Sequence, residues 1–250
     1  MAEATATRAD VCAVACADLF ADDGEILVSP MGTMPAIGAR LARVTSAPDI
    51  LLSDGEAYLM AETPALGASS PIEGWLPYRK VFDVVAAGTR HVVMGANQLD
   101  RFGNQNISCL GPHDKPTRQM FGARGGPGNT INHRTSYWVP KHSARVFVER
   151  VDMISGVGWD RVEGSAARYL DVYRVVTNLA VLDFGGPGHA MRLVSVHPGV
   201  SVDEVRAQTS FDLHVSAGDV ATTRLPTDAE LALLAEIDPK NVRAKEVPDA

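Results

Sequence analysis

Apolar residues recur at two different spacings along the first sixty residues, and their alternation predicts a strand–helix–strand unit. Residues 7–21 carry apolar side chains at helical spacing until Asp22-Asp23-Gly24 interrupts the pattern. Residues 25–30 form a short apolar run typical of a buried strand, and residues 36–43 read as an amphipathic helix. A second apolar run over residues 50–60 follows at once. Because the crossover between two such strands is right-handed, the unit predicts a parallel sheet.

The rest of the chain continues to alternate between helical and strand spacing after one long aperiodic stretch. Residues 61–77 collect proline, glycine and serine, and we interpret them as a functional loop, either a lid or a partner contact. The other predicted elements are helix 78–88, strands 91–96, 107–110 and 145–149, a hairpin of 173–184 with 191–197, helix 202–209, strand 211–216 and helix 227–237. The order indicates one α/β domain over residues 1–240, an open and mostly parallel sheet with flanking helices, and a loose tail over 241–250.

Composition and charge narrow the classes of partner. The chain has 23 basic and 30 acidic residues, a formal net charge of −7, and no basic block, which disfavours nucleic-acid and anionic-membrane binding. No signal-peptide pattern opens the sequence and no apolar run is long enough for a bilayer, so we expect a soluble, cytoplasmic protein. Three cysteines agree with a reducing compartment, and the scattered histidines predict no metal site.

The stretch around residue 53 carries the first candidate chemistry. The apolar run ends at Ser53-Asp54-Gly55, and Glu56 follows. Ligands of open α/β sheets bind beyond the carboxyl ends of strands, so Asp54 and Glu56 are candidate functional carboxylates. The alternative is a polar turn whose two acids are merely solvated.

A glycine-rich segment carries the second candidate site. Residues 122–128 hold four glycines and one cation, Arg124, but lack the spacing of nucleotide-binding loops. Main-chain amides without side chains can approach a ligand closely, and a guanidinium can hold a phosphate or carboxylate through two hydrogen bonds. The alternative is an ordinary surface loop. No serine lies in the Gly-x-Ser-x-Gly pattern of a hydrolase elbow.

Several segments in a fixed order carry a family resemblance from about residue 8 to about residue 217. They are Ser29-Pro-Met-Gly-Thr-Met-Pro35, Leu52-Ser-Asp-Gly-Glu56, Phe82-Asp-Val-Val-Ala-Ala-Gly88, Gly95-Ala-Asn-Gln-Leu-Asp-Arg-Phe-Gly-Asn-Gln-Asn106, Gly125-Gly-Pro-Gly-Asn129 and Val176-Thr-Asn-Leu-Ala-Val-Leu-Asp-Phe184. In this order the chain resembles the β subunit of the class I CoA-transferase family. The resemblance implies a fold like that of sugar-phosphate isomerase-like proteins and a separate α subunit, expected as an α2β2 heterotetramer. It also implies an active site at the subunit interface, with acyl-CoA as substrate and no further cofactor.

One departure from the family pattern changes the expected reaction. The family's nucleophilic glutamate falls at Ser53 here, while Asp54 is one residue away and shorter, and Glu56 lies beyond the glycine. The chain is more similar to a branch of the family, the β subunits of actinobacterial CoA hydrolases that open the last steroid ring. That resemblance implies hydrolytic retro-Claisen cleavage of a cyclic β-keto-type acyl-CoA in cholesterol catabolism, with a glutamate of the α subunit as base.

The resemblance also suggests roles for particular residues. We expect Arg124 to hold a substrate carboxylate or CoA phosphate, Asn97 and the Gly125-Gly126 amides to line the thioester pocket, and Ser53 to leave room for water. Two alternatives stay open. The chain could serve an ordinary CoA-transferase that uses Glu56 or Asp54, or it could be a scaffold whose partner holds the whole site.

Overall fold

A nine-stranded, mostly parallel sheet forms the centre of the protein. The computed structural model describes residues 6–54, 57–218 and 220–249, and of Tyr78 only the main chain. The strands of this sheet are β1 Leu27–Pro30, β2 Leu51–Leu52, β5 Arg90–Gly95, β10 Arg134–Val139, β11 Asp171–Thr177, β12 Ala180–Asp183, β13 Arg192–Val196, β14 His214–Val215 and β15 Ala221–Thr222. Their order is β14-β13-β12-β11-β10-β5-β1-β2, with β15 also on β13. Among these described strands β12 alone is antiparallel to its neighbours.

Smaller hairpins flank the sheet at the ends of its strands. The paired strands are β3 Tyr58–Met60 with β4 Ile72–Trp75, β6 Gln98–Leu99 with β7 Gln105–Asn106, and β8 Cys109–Leu110 with β9 Arg118–Gln119. The first hairpin follows β2 directly, and the other two belong to the irregular segment that follows β5. Polar loops therefore gather where the central parallel strands end.

Helices cover both faces of the sheet. They are α1 Arg8–Ala17, α2 Thr33–Val44, α3 Tyr78–Ala87, α4 Gly126–Asn132, α5 Val202–Ala207, α6 Asp228–Ile237 and α7 Val242–Glu246. One core lies between the sheet and the helices α1, α2, α6 and α7, where Val28, Val93 and Trp138 are buried. The other face carries a second core, in which Val92 and Tyr137 of neighbouring strands are buried. Alternate residues of β5 thus enter different cores, as the pleat of a strand requires.

The structure confirms the fold class and the strand–helix–strand unit. Strand β1, helix α2 and strand β2 occur in the predicted order, and β1 pairs in parallel with β2 through Leu27↔Leu51 and Val28↔Leu52. Some predicted elements differ. Residues 61–77 are not entirely loop, because they contain β4, and residues 145–149 form only an isolated bridge from Phe147 to Leu99.

Strand β10 lies at the centre of the sheet but was not predicted from the sequence. Thr135 and Ser136 give this strand a polar sequence, yet both residues are fully buried. The Ser136 Oγ lies 2.9 Å from Nε2 of His91, whose Nδ1 lies 2.6 Å from a carboxylate oxygen of Asp23. A buried polar strand is stable when each polar group finds a partner, and apolar periodicity cannot detect that condition.

The carboxyl-terminal residues are docked, so the prediction of a loose tail over 241–250 is wrong for residues 241–249. Arg243 of α7 pairs with Asp10 at 2.7 Å and with Asp238 at 3.1 Å. Val247 is only 3% exposed and belongs to the core beside α1 and α2. The polar composition of the tail concealed this docking, because the ion pairs and the single apolar contact depend on residues far away in sequence.

The three cysteines are buried and unpaired, as their predicted packing role requires. Cys12 and Cys16 lie in the core between α1 and α2, and burial raises the pKa of the Cys12 thiol to about 12. A side chain on Gly38 would lie 2.6 Å from the Cβ of Cys16, so the two helices cross at a glycine. In the part of the chain that the structure describes, no helix has the length and apolar content needed to cross a membrane.

The Glu246 carboxylate joins the tail to the sheet and to α2. It accepts hydrogen bonds from the main-chain N–H of Met34 at 3.1 Å and from Nε1 of Trp138 at 2.9 Å. Glu246→Ala leaves both donors without this acceptor, so we expect the free energy of unfolding to fall by about 1–3 kcal/mol. The neighbouring exposed substitution Lys245→Ala is the control and should cost under about 0.5 kcal/mol. Equal urea midpoints for the two variants would contradict the prediction.

Buried neutral histidines make the fold sensitive to acid. His142 donates and accepts between Thr177 and Thr209, and burial lowers its pKa to about 3. In the unfolded chain its pKa is about 6.5, so the unfolded state binds the extra proton as the pH falls. The free energy of unfolding should therefore fall below about pH 6.5, by up to about 1.4 kcal/mol per pH unit for this residue. His142→Gln should flatten that slope in urea titrations at pH 7, 6 and 5. His113→Gln replaces an exposed histidine; a slope equally flattened there would rule out this origin.

Candidate active site at the carboxyl edge of the sheet

Ser53 directly follows β2 and is held against β1. Its side chain is buried, and its Oγ donates a hydrogen bond to the main-chain carbonyl of Val28 at 2.8 Å. The Ser53 main chain also forms a bridge with Leu59, at the start of the first hairpin. Because the hydroxyl proton is directed at a carbonyl, this geometry does not prepare Ser53 to act as a nucleophile. Its position at the carboxyl end of β2 agrees with the predicted location of the site.

Asp54 shapes the turn after Ser53. Its Oδ1 accepts hydrogen bonds from the N–H groups of Ala57 at 2.9 Å and Tyr58 at 3.1 Å. The Asp54 N–H in turn donates to the Tyr58 carbonyl at 3.0 Å. The carboxylate therefore orients loop amides. Glu56, the second predicted acid, lies with Gly55 outside the described residues.

The segment after β5 places Asn97 at the same edge of the sheet. The Asn97 side chain is exposed, and its N–H donates to the Asn106 carbonyl at 3.0 Å. Nε2 of Gln105 donates to the carbonyl of Gly95, the last residue of β5, at 2.7 Å. Strands β6 and β7 thus fold back over the end of β5 and hold Asn97 there.

Polar residues of this segment have structural partners that were not predicted from the sequence. Asp100 accepts hydrogen bonds from the N–H groups of Phe102 and Asn104 and from Nδ2 of Asn104, all at 2.9–3.0 Å. A side chain on Gly103, whose φ is +83°, would lie 2.8 Å from the ring of Phe184. Burial raises the pKa of Asp100. The Asp-x-x-Gly-Asn spacing of a tight loop is the signal that could have identified this role.

The glycine-rich segment forms the turn into α4. Gly126 begins the helix, and a side chain there would lie 3.1 Å from the Ser155 carbonyl and 3.3 Å from Oε1 of Gln105. Its N–H donates to the Ala123 carbonyl at 2.9 Å. Of the two amides predicted to face a ligand, that of Gly126 is therefore already bound within the turn. For the Gly125 N–H, no main-chain acceptor occurs within residues 6–54, 57–218 and 220–249.

Arg124 occupies a strained main-chain conformation. Its φ is +51°, in the left-handed region that favours glycine, and its side chain is exposed. In the described chain no hydrogen bond or ion pair holds its guanidinium. Non-glycine residues with positive φ are concentrated at functional sites, because surrounding structure must compensate for the strain. This observation supports a ligand role for Arg124 over the ordinary-loop alternative.

The topology gathers most of the predicted residues at one edge. Ser53 follows β2, Asn97 follows β5, and α4 starts at that edge before it leads back to the beginning of β10. Gln105 links two of these regions, since it binds Gly95 and lies against Gly126. Ser53 is separated from β5 by the width of β1. The arrangement is an open edge, as expected for a site completed by another chain.

Large exposed apolar side chains surround this edge. They are Met31, Tyr58, Ile72, Trp75, Phe82, Phe121 and Ile131. Trp75 is 66% exposed and Phe121 is 90% exposed, values that are unusual for aromatic residues in a folded monomer. They lie on the first hairpin, on α3 and α4, and on the loops beside them. The interpretation of residues 61–77 as a partner contact fits this surface.

Comparison with known proteins first defines the class. No family model matches the chain. The chain is 28% identical to one of the two kinds of subunit of the 3-oxoadipate CoA-transferase of Pseudomonas knackmussii, over 84% of the chain and 86% of that protein. Its fold matches the structure of glutaconate CoA-transferase from Acidaminococcus fermentans with a TM-score of 0.76 at 24% identity, over 94% of the chain and 95% of that one. The fold class is that of the CoA-transferase subunits.

Nearer relatives define the family within that class. The chain is 60% identical to the cholesterol ring-cleaving hydrolase IpdB subunit of Rhodococcus jostii over 96% of both proteins. It is 62% identical to the IpdB subunit of Mycobacterium tuberculosis, over 96% of the chain and 98% of the relative. The crystal structure of Rhodococcus jostii IpdAB contains a chain that matches with a TM-score of 0.93 and 59% identity, over 96% and 98% of the two chains. The chain belongs to the IpdB family of cholesterol ring-cleaving hydrolase subunits.

The strain at Arg124 can be measured by a pair of substitutions. Arg124→Gly and Arg124→Ala both remove the guanidinium, but glycine also relieves the positive φ. We expect the glycine variant to exceed the alanine variant by about 1 kcal/mol in free energy of unfolding. Ala123→Gly is the matched control, because Ala123 does not have a positive φ, and glycine there should lower stability. Equal denaturation midpoints for the two Arg124 variants would show that the residue is not strained.

Proposed function

We propose that this chain is the IpdB-type subunit of a hydrolase that opens a ring of a cholesterol-derived, cyclic β-keto-type CoA thioester, acting only with an α subunit. Support comes from about 60% identity over nearly the whole chain to subunits named as cholesterol ring-cleaving hydrolases. The observation that carries the proposal is Ser53 at the position of the family's nucleophilic glutamate, with its hydroxyl bound to the Val28 carbonyl.

A transferase mechanism is less compatible with this site. Transfer of CoA between acids requires a carboxylate that attacks the thioester and forms an acyl anhydride. Ser53 provides no carboxylate, and its proton is given to a main-chain oxygen. The Asp54 carboxylate accepts two main-chain N–H bonds, which stabilise its charge and reduce its nucleophilicity. The acyl group is therefore expected to react with water.

The proposed reaction consumes one water molecule. A base of the α subunit removes a proton from water as its oxygen attacks the ring ketone that lies β to the thioester carbonyl. The bond between the former ketone carbon and the α-carbon then breaks, and its electron pair forms the thioester enolate. Protonation of the α-carbon completes the step and leaves a new carboxylate with the thioester intact. The transient enolate is the species that positive charge and N–H donors must stabilise.

The chain contributes groups suited to binding and charge stabilisation. Arg124 is exposed beside the glycine-rich turn and can hold a substrate carboxylate or a CoA phosphate through two hydrogen bonds. Asn97 and the Gly125 N–H can line the thioester pocket. Ser53 contributes a small side chain where the family has a glutamate, which leaves space for water. No additional cofactor is needed for this reaction, since CoA is part of the substrate.

The α subunit is proposed to cover the exposed apolar edge. The matched structure is an IpdAB complex, and Trp75 and Phe121 offer the large aromatic surfaces that protein interfaces favour. An α2β2 heterotetramer, suggested by family resemblance, is our working stoichiometry. The unpaired, buried cysteines fit the reducing environment of a cytoplasmic enzyme.

The proposal can be tested with the purified complex of both subunits in isotopically labelled water. We expect ring opening to place one labelled oxygen in the new carboxylate and to require no acyl acceptor. Because Ser53 is not the nucleophile, Ser53→Ala should retain kcat within about tenfold, whereas loss of a true nucleophile costs roughly a millionfold. Mass spectrometry of the product and steady-state kinetics provide the two measurements.

The same experiment separates the alternatives. Acceptor-dependent CoA exchange without label in the product would overturn the hydrolase proposal and favour a transferase. Arg124→Ala tests direct participation of this chain, with the exposed substitution Arg79→Ala as its control. Unchanged kinetics of the Arg124→Ala complex would remove the case for a binding role and favour a scaffold.

A further inference from the structure

Arg90 is a buried cation without an acidic partner. It is the first residue of β5 and is only 4% exposed. Its Nη1 donates to Oγ of Ser29 at 3.1 Å, and its Nη2 donates to Oδ1 of Asn129 at 2.5 Å. Its Nε is buried without a partner among the described residues. Both acceptors are neutral, and no carboxylate of the described chain contacts this guanidinium.

The charges nearby do not compensate Arg90. His133 lies just before β10 and is buried, and its pKa is lowered to about 4 by burial and then by the charge of Arg90. It is therefore neutral at physiological pH. Asp23 binds His91, whose side chain leaves the opposite face of β5. Burial lowers the pKa of Arg90 to about 10, so this residue remains positively charged.

A buried charge is ordinarily paired, because leaving water costs several kcal/mol per ion. A chain that keeps an arginine in such a position without a carboxylate therefore gives up stability. The hydrogen bonds from Arg90 do not require a charge, since a neutral donor could serve both Ser29 and Asn129. The retained charge points to a use outside the folding of this chain.

The two partners of Arg90 connect it to the candidate active site. The register pairs Val28 with Leu52, and its continuation by one residue places Ser29 beside Ser53. Asn129 belongs to α4, the helix that starts at Gly126. The guanidinium thus joins the strand next to Ser53 to the helix that follows the glycine-rich turn.

We propose that Arg90 is a positioning residue for ring cleavage, which aligns Ser29 and α4 and supplies an uncompensated positive charge to the site. This inference rests on the proposed function. The thioester enolate and the carboxylate base of the α subunit are both anionic, and a nearby buried positive charge stabilises each of them. Little charge is screened in the interior, so Arg90 acts without touching the substrate.

The test uses the assembled complex of both subunits and measures kcat, KM and the pH profile of kcat/KM. Arg90→Gln removes the charge and keeps hydrogen-bonding groups, and we expect kcat to fall about tenfold with KM changed less than about threefold. Loss of a positive charge makes a deprotonated base less stable, so the midpoint of the acidic limb should rise by about 0.5 to 1 pH unit. Arg90→Lys should return the midpoint toward that of the unsubstituted complex.

A second variant keeps the inference falsifiable if Arg90→Gln fails to fold. Asn129→Asp conserves shape and places a carboxylate 2.5 Å from Nη2 of Arg90, which neutralises the charge without removing the arginine. We expect it to raise the same midpoint and to lower kcat. A misplaced side chain alone would reduce kcat without moving the midpoint, so the pH profile separates positioning with charge from simple structural damage.

The control is Arg224→Gln, which removes an arginine paired with Asp18 and Glu230. Arg224 follows β15, which lies on β13, several strands away from β5. The control should lower stability and leave the midpoint unchanged. Unmoved midpoints for both Arg90→Gln and Asn129→Asp, with an active unsubstituted complex, would overturn the inference. If the unsubstituted complex does not open the ring in labelled water, the proposed function fails instead, so the two failures are distinguishable.

Discussion

Polar side chains inside the central strands must find partners within the protein, and this requirement organises the sheet. His91 on β5 binds Asp23 on one side and Ser136 of β10 on the other. His142 lies between Thr177 and Thr209, and His197 contacts Thr223 and the Thr177 carbonyl. Each network ties a strand to an element distant in sequence. Because an unpaired buried polar group costs about 1–3 kcal/mol, these contacts strongly favour one strand order and register.

The same requirement makes Arg90 an exception of interest. Most buried polar groups of the sheet find neutral partners or opposite charges, whereas Arg90 keeps a positive charge among neutral groups. Local violations of the rules for stability are most often found at functional sites. The positive φ of Arg124 is a second violation at the same edge. Ser53, Arg90 and Arg124 together describe a site that favours anionic ligands but lacks the carboxylate of a transferase.

Packing also explains why conspicuous motifs serve architecture as well as chemistry. The segment from Gly95 to Asn106 carries the strongest resemblance to CoA-transferase subunits, yet its polar side chains mainly bind one another and the main chain. The glycines at 126 and 128 allow α4 to approach Ser155 and Val85 closely. Such residues hold the ligand-facing groups in place. The exposed groups near the site, Asn97 and Arg124, are fewer and less conspicuous in sequence.

The sequence alone determined the parallel βαβ unit at the amino terminus, the mixed α/β class and the location of the site after β2. Those features follow from local periodicity and from the order of short motifs. Tertiary structure decided what local patterns cannot express. It placed the polar strand β10 at the centre of the sheet, since Ser136 finds His91 there, and it docked the tail through Glu246 and Arg243. It also showed Gly126 bound within its turn and Arg90 buried without an acid, because those facts depend on neighbours brought together only by folding.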